Sequence, residues 1–152
     1  SATTYEVRSS SEYHLKYTGV EGLTVGYAWG SDDGASVSNS VDLSNVYATY
    51  AAGPLTVGIQ ANEYDSNQAN SDEDFSAIGV SYAVSEDLSV SFNQSTIDWQ
   101  VSTKSDQEAQ AIGVSWTSGG VTIGASHHTI DNVGGTAATD VTAYDIAFSF
   151  AY

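Results

Sequence analysis

Four copies of one short strand recur along this chain at an almost constant interval. Leu23-Thr24-Val25-Gly26-Tyr27, Leu55-Thr56-Val57-Gly58-Ile59, Leu88-Ser89-Val90-Ser91-Phe92 and Val121-Thr122-Ile123-Gly124-Ala125 begin 32 or 33 residues apart. A short turn precedes each copy: Glu21-Gly22, Gly53-Pro54, Glu86-Asp87 and Gly119-Gly120. Before each turn lies a second strand type, at Tyr13–Tyr17, Val46–Tyr50, Ile78–Tyr82 and Ile112–Trp116, with a fifth copy at Ile146–Phe150. Alternating apolar runs joined by Gly, Pro or acidic turn residues make β-hairpins. A hairpin repeated at fixed spacing makes an antiparallel meander rather than a mixture of folds. The alternation predicts nine strands, at about 11–18, 22–31, 43–51, 55–63, 75–83, 87–97, 108–117, 120–130 and 140–152, within one unit spanning residues 1–152.

The two faces of these strands differ in size and polarity. One carries Leu23, Val25, Tyr27, Trp29, Leu55, Val57, Ile59, Leu88, Val90, Phe92, Val121 and Ile123. The other carries Thr24, Gly26, Ala28, Thr56, Gly58, Gln60, Ser89, Ser91, Asn93, Thr122, Gly124 and Ser126. A small soluble barrel or sandwich turns its large residues inward to fill a core. Here the second face is too small and polar to be a core, so the apolar face is expected outward against lipid and the polar face against water. Tyr17, Tyr50, Tyr82, Trp116 and Tyr152 all sit at the turn end of their strands. Amphipathic rings repeated at one level form an interfacial girdle.

Composition excludes other classes. Only Arg8, Lys16 and Lys104 oppose 19 carboxylates, for a net charge of −16, which makes nucleic acid a very poor partner. With no Cys there is neither a disulfide framework nor thiol chemistry. No apolar run is long enough for a transmembrane helix. Most of the charge falls in the segments Ser31–Asp42, Glu63–Asp74, Asp98–Glu108 and Asp131–Asp140, which read as long solvated loops opposite the short turns.

The last strand alternates Tyr144, Ile146, Phe148, Phe150 and Tyr152 with Asp145, Ala147, Ser149 and Ala151. This apolar, aromatic-terminated strand resembles the C-terminal signature of Gram-negative outer-membrane barrels. Together with the hairpin repeat and the turn-side aromatics, it makes the chain from Tyr13 onward similar to the C-terminal portion of the 16-stranded general-diffusion porins. The resemblance implies an all-β, up-and-down transmembrane barrel in the bacterial outer membrane. It further implies trimers through which small hydrophilic solutes and ions diffuse passively. The partners it implies are outer-membrane lipid and lipopolysaccharide, with Phe148, Phe150 and Tyr152 expected to be the segment read by the barrel-assembly machinery. General porins also fold one long loop from the N-terminal half into the lumen, and none of the four loops here matches it.

Nine strands leave an odd count, whereas bacterial barrels have even numbers with both ends on the short-turn side. Either Ala2–Arg8 adds a short tenth strand, or the sequence is part of a longer chain; the second reading is preferred because Ala2–Arg8 is shorter than the roughly 9–11 residues a tilted strand needs. The alternatives are a self-contained barrel of 8–10 strands with an adhesive or structural role and, further off, a soluble secreted all-β domain.

Parity assigns Glu12, His14, Lys16, Tyr47, Thr49, Gln60, Asn62, Asn93 and Asp145 to the water-facing side as candidate pore-lining residues. Glu12, His14 and Lys16 form either a charged ladder that orients solutes or a hydrated wall with local ion pairs. Asp145 has Lys16 as a possible partner across the wall. His127-His128 is expected to be no metal pair, because neighbouring strand residues point to opposite faces. Asp72-Glu73-Asp74 lacks the loop grammar of a dedicated Ca²⁺ site, so no cofactor is expected and Ca²⁺ at the acidic loops is the lesser reading. Catalytic motifs are absent, and Gly113-Val114-Ser115-Trp116-Thr117 lacks the second Gly of a nucleophile elbow; the chain reads as no enzyme.

Overall fold

A computed structural model describes residues 9–33 and 40–151. Nine strands follow one another: β1 (Ser9–Val20), β2 (Leu23–Asp33), β3 (Val41–Ala52), β4 (Leu55–Ser66), β5 (Glu73–Ala83), β6 (Leu88–Trp99), β7 (Gln107–Ser118), β8 (Val121–Asp131) and β9 (Val141–Phe150). They form one antiparallel sheet in sequence order, with β1 and β9 at its edges. The only helical element among the described residues is a 3₁₀ turn at Val133–Gly135. The expected meander of nine strands is therefore the observed fold, while the short strand considered at Ala2–Arg8 lies outside the described residues.

The turns are built as their residues require. Gly119 and Gly120 both take positive φ, 58° and 78°, the conformation that a two-residue hairpin turn matched to strand twist demands. In the longer β5–β6 turn, Ser85 Oγ accepts from the Asp87 and Leu88 N–H groups at 3.3 and 3.1 Å. The turns also join the ladder. Carbonyls of Gly22, Pro54, Asp87 and Gly120 accept from the N–H groups of Ala51, Ala83, Thr117 and Ala151 at 2.8–2.9 Å. The sequence repeat is thus a repeat of hydrogen bonding.

Register carries one face intact across the sheet. Leu23 pairs with Tyr50, Tyr50 with Val57, Val57 with Val80, Val80 with Phe92, Phe92 with Ile112, Ile112 with His127, and His127 with Tyr144. Every member of this row points to the apolar side, since directly opposed residues share a face. The row starts at the turn end of β2 and finishes near the loop end of β9, six residues before Phe150. That stagger over seven strand steps is a tilt of roughly 30°, the direction of offset that closing a sheet into a barrel requires.

Almost nothing is buried. Among the described residues Ala111, at 9% exposure, is the sole buried hydrophobic side chain, while Leu15, Ile59, Ile112, Tyr144, Ile146 and Phe150 are more than half exposed. A sheet with this much uncovered apolar surface and no core is built for an apolar surrounding.

Main-chain pairing continues beyond the apolar band, so all strands but β9 run one to three residues farther into the loop-side segments than apolar alternation marks. There the apolar-side positions become charged. Glu63 opposes Asp74, which opposes Asp98; Asp42 opposes Asp65, and Glu108 opposes Asp131. Like charges directly opposed across strands are destabilising. Asp74→Asn, at the centre of the first group, is expected to stabilise the folded state by about 0.5 kcal/mol in low-salt, divalent-free buffer. Urea unfolding in lipid vesicles measures this; the gain should shrink at high salt, and a loss of stability at low salt would contradict the account.

Candidate functional site

The polar side of the sheet is the candidate site. Rows of paired residues define it. Lys16, Gly26, Tyr47, Gln60, Ala77 and Ser95 form one row, and His14, Ala28, Asn45, Asn62, Phe75 and Ile97 the next toward the loops. All nine candidate lining residues fall on this side by register: Glu12, His14 and Lys16 on β1, Tyr47 and Thr49 on β3, Gln60 and Asn62 on β4, Asn93 on β6 and Asp145 on β9.

Several of them meet. The Asn62 side-chain oxygen accepts from Asn45 and, at 3.0 Å, from Gln60, so three amides form one hydrogen-bonded patch. Tyr47 reaches across β2: its hydroxyl lies 3.4 Å from His14 Nε2, and the two rings stack with centroids 6.2 Å apart. Glycine makes this possible, because a Cβ at Gly26 would sit 2.2 Å from the Tyr47 ring. Small residues on the polar side of β2 are therefore spacers for a neighbour's ring.

Asp145 finds its partner on the adjacent strand. Its Oδ2 is 3.0 Å from His128 Nε2, whereas Lys16 lies on β1 at the opposite edge of the sheet. Ser126 Oγ is 2.8 Å from that same Nε2. Serine and aspartate thus share one ring nitrogen, whereas a serine–histidine–aspartate relay needs one at each. With Asp145 72% exposed, the pair is hydrated and contributes little to stability. His127 points to the other face, 4.6 Å from the Tyr144 ring centre. The Asp72-Glu73-Asp74 run is likewise dispersed. Asp72 Oδ1 accepts from the Ser66 N–H at 2.9 Å, Glu73 faces the polar side and Asp74 the apolar side.

On the apolar side, Tyr17, Tyr50, Tyr82 and Trp116 lie at the turn ends with 44–57% exposure, and Phe148 and Phe150 continue that face on β9. Tyr152 lies outside the described residues. A second aromatic group stands nearer the loops: Trp29 stacks on Tyr13 at 5.3 Å and on Tyr27 at 5.2 Å.

Two features of the polar side escape apolar–polar alternation. Leu43, Tyr64, Phe75 and Ile97, each third from the loop end of its strand, face the polar side and form an apolar belt across β3 to β6. Counting parity from Tyr50, Val57, Val80 and Phe92 would have found it. Above it Lys104 folds back from the β6–β7 loop, its Nζ 3.5 Å from the Trp99 ring centre. Its stem is held by the close approach of Gly135, and the Ser105 N–H donates to the Gly135 carbonyl at 3.0 Å.

The spacer role of Gly26 is testable. Gly26→Val forces the Tyr47 ring aside and is expected to cost about 1–3 kcal/mol, as overpacking does. Gly124→Val, on the same face with nothing within 4 Å of its Cβ position, should cost clearly less. Equal losses in denaturant unfolding would contradict this packing.

Comparison with known proteins follows the same lines. The sequence profile of the Gram-negative porin family matches residues 2–99. No curated protein matches the sequence. Among solved structures, OmpT of Vibrio cholerae expressed in the outer membrane superposes with a TM-score of 0.68 at 16% identity, over 97% of this chain and 57% of that one. The in-vitro folded form of OmpT, an outer membrane protein of Vibrio cholerae, gives 0.65 at 15% identity, over 95% and 56%. At such identity the likeness is one of fold, and the chain spans a little over half the length of these structures. The chain belongs to the Gram-negative porin family and is a transmembrane β-barrel protein of the bacterial outer membrane.

Proposed function

We propose that the chain forms part of the wall of a water-filled pore through which small hydrophilic solutes and ions cross the outer membrane by passive diffusion. The observation that carries this reading is the polar side of the sheet. Rows such as Ala51, Thr56, Ser81, Ser91, Gly113, Ser126 and Asp145 run from β3 to β9 with no side chain large enough to fill a core. A face of that kind is stable only against water.

The open edges support a larger enclosure. Unpaired backbone groups on β1 and β9 would cost several kcal/mol each in hydrocarbon, which favours an enclosure in which both edges are paired. Nine strands over 57% of a similar fold scale to about sixteen, a size that leaves an aqueous channel. Association into trimers belongs to the same proposal. Hydrolytic chemistry at the rim finds no support here, since His127, Asp98 and Asp131 lie on the apolar side and only His128 on the polar one.

With 19 carboxylates against three fixed cations, the mouth enriches cations. Reversal potentials in a salt gradient, measured on the protein purified from its native membrane into planar bilayers, should show a weak cation preference. The preference should fade between about 0.1 M and about 1 M salt. Anion selectivity would contradict the charge argument, and absence of conductance steps would replace the pore with a closed barrel acting through its loops.

A further inference from the structure

The apolar belt at the loop side of the polar face has no role in a simple water-filled wall. Leu43, Asn62, Tyr64, Glu73, Phe75 and Ile97 line one depression of about 620 Å³ on that face. Glu73 lies directly opposite Tyr64 and two residues from Phe75 on the same side of β5, so a carboxylate stands beside two aromatic rings. Glu12 at the far side and Glu63 beside Tyr64 supply further carboxylates, and among the described residues no Lys or Arg lines the depression. The same row of paired residues displays the matching interaction within the chain itself. Trp99, opposite Glu73 on β6, has the Lys104 ammonium 3.5 Å from its ring centre. An ammonium on an aromatic face near a carboxylate is thus already realised one strand away, while among the described residues no Lys or Arg stands over the rings of Tyr64 and Phe75.

We infer that this depression is a binding site for an organic cation with an apolar or aromatic body. The apolar part would lie on the belt of Leu43, Tyr64, Phe75 and Ile97. Its ammonium would be held by Glu73 and by the ring faces, with the Asn62 amide at the floor. Cation–π attraction and the carboxylate act together on the charge, and burial of the apolar body sets it apart from small inorganic ions. In the proposed pore, on which this reading rests for its biological meaning, the site makes the mouth a first stopping point for such solutes.

Calorimetric titration of the detergent-solubilised, folded protein with benzyltrimethylammonium tests it. The expectation is saturable binding with a Kd on the order of a millimolar. Glu73→Gln and Phe75→Leu should each weaken it about fivefold. Tetramethylammonium, which lacks the apolar body, should bind at least about fivefold more weakly, and benzenesulfonate should not bind. Heat-modifiable migration on gels verifies that each variant is folded, and Glu73→Gln, which keeps the shape of its side chain, serves should Phe75→Leu misfold. No saturable binding, equal binding of benzenesulfonate, or an unchanged Kd in folded Glu73→Gln would overturn the inference. Conductance recorded on the same preparations separates the two readings: binding without conductance defeats the pore alone, and conductance without binding defeats the site alone.

Discussion

In hydrocarbon, no backbone N–H or C=O can be left for water, and this constraint governs the whole molecule. Inside the sheet it is met by pairing every strand with its sequence neighbour and by extending the ladder through the turns, which leaves the outer edges of β1 and β9. The carbonyls of Gly22, Pro54, Asp87 and Gly120 are used rather than left free. Once pairing is unbroken, side-chain parity is unbroken too. A single residue slip in any hairpin would exchange the lipid face and the water face for every strand beyond it. Apart from one register shift between Tyr17 and Val20 at the turn end of β1, parity is common to all nine strands, so two surfaces of opposite chemistry come from one backbone pattern.

Much of this was legible in the sequence because period-two alternation and turn chemistry are local signals. The 32–33 residue recurrence marked each hairpin, and the contrast between rows such as Val57, Ile59 and Thr56, Gly58 marked the faces. What alternation could not supply was anything set by register between strands. Tyr47 meets His14 only because β1 and β3 flank the same glycine of β2, and Asp145 meets His128 only because β8 and β9 are offset as they are. The cross-strand groups Glu63, Asp74 and Asp98 likewise scatter along the sequence and gather only on the sheet.

The apolar belt shows a different limit. Leu43, Tyr64, Phe75 and Ile97 are apolar residues on the polar face, and alternation read from composition assumes that such residues lie on the lipid side. They sit where the strands have already left the apolar band, as the charged residues beside them on the opposite face attest. At that level both faces meet water, so the usual reason for an apolar side chain is gone. Lys104, taken from sequence as one loop cation, turns out to be placed over Trp99 by contacts with the β8–β9 loop. Both features concentrate chemistry at the loop end of the sheet rather than along its length.

The central claim is that one face of this sheet meets lipid and the other meets water, and the absence of Cys makes it directly measurable. Single cysteines at the adjacent positions Ile59 and Gln60, and Phe92 and Asn93, would be exposed in the native membrane to a charged, membrane-impermeant thiol reagent. The account predicts rapid labelling of Gln60→Cys and Asn93→Cys and protection of Ile59→Cys and Phe92→Cys. Equal labelling within each pair, or the reverse pattern, would contradict it.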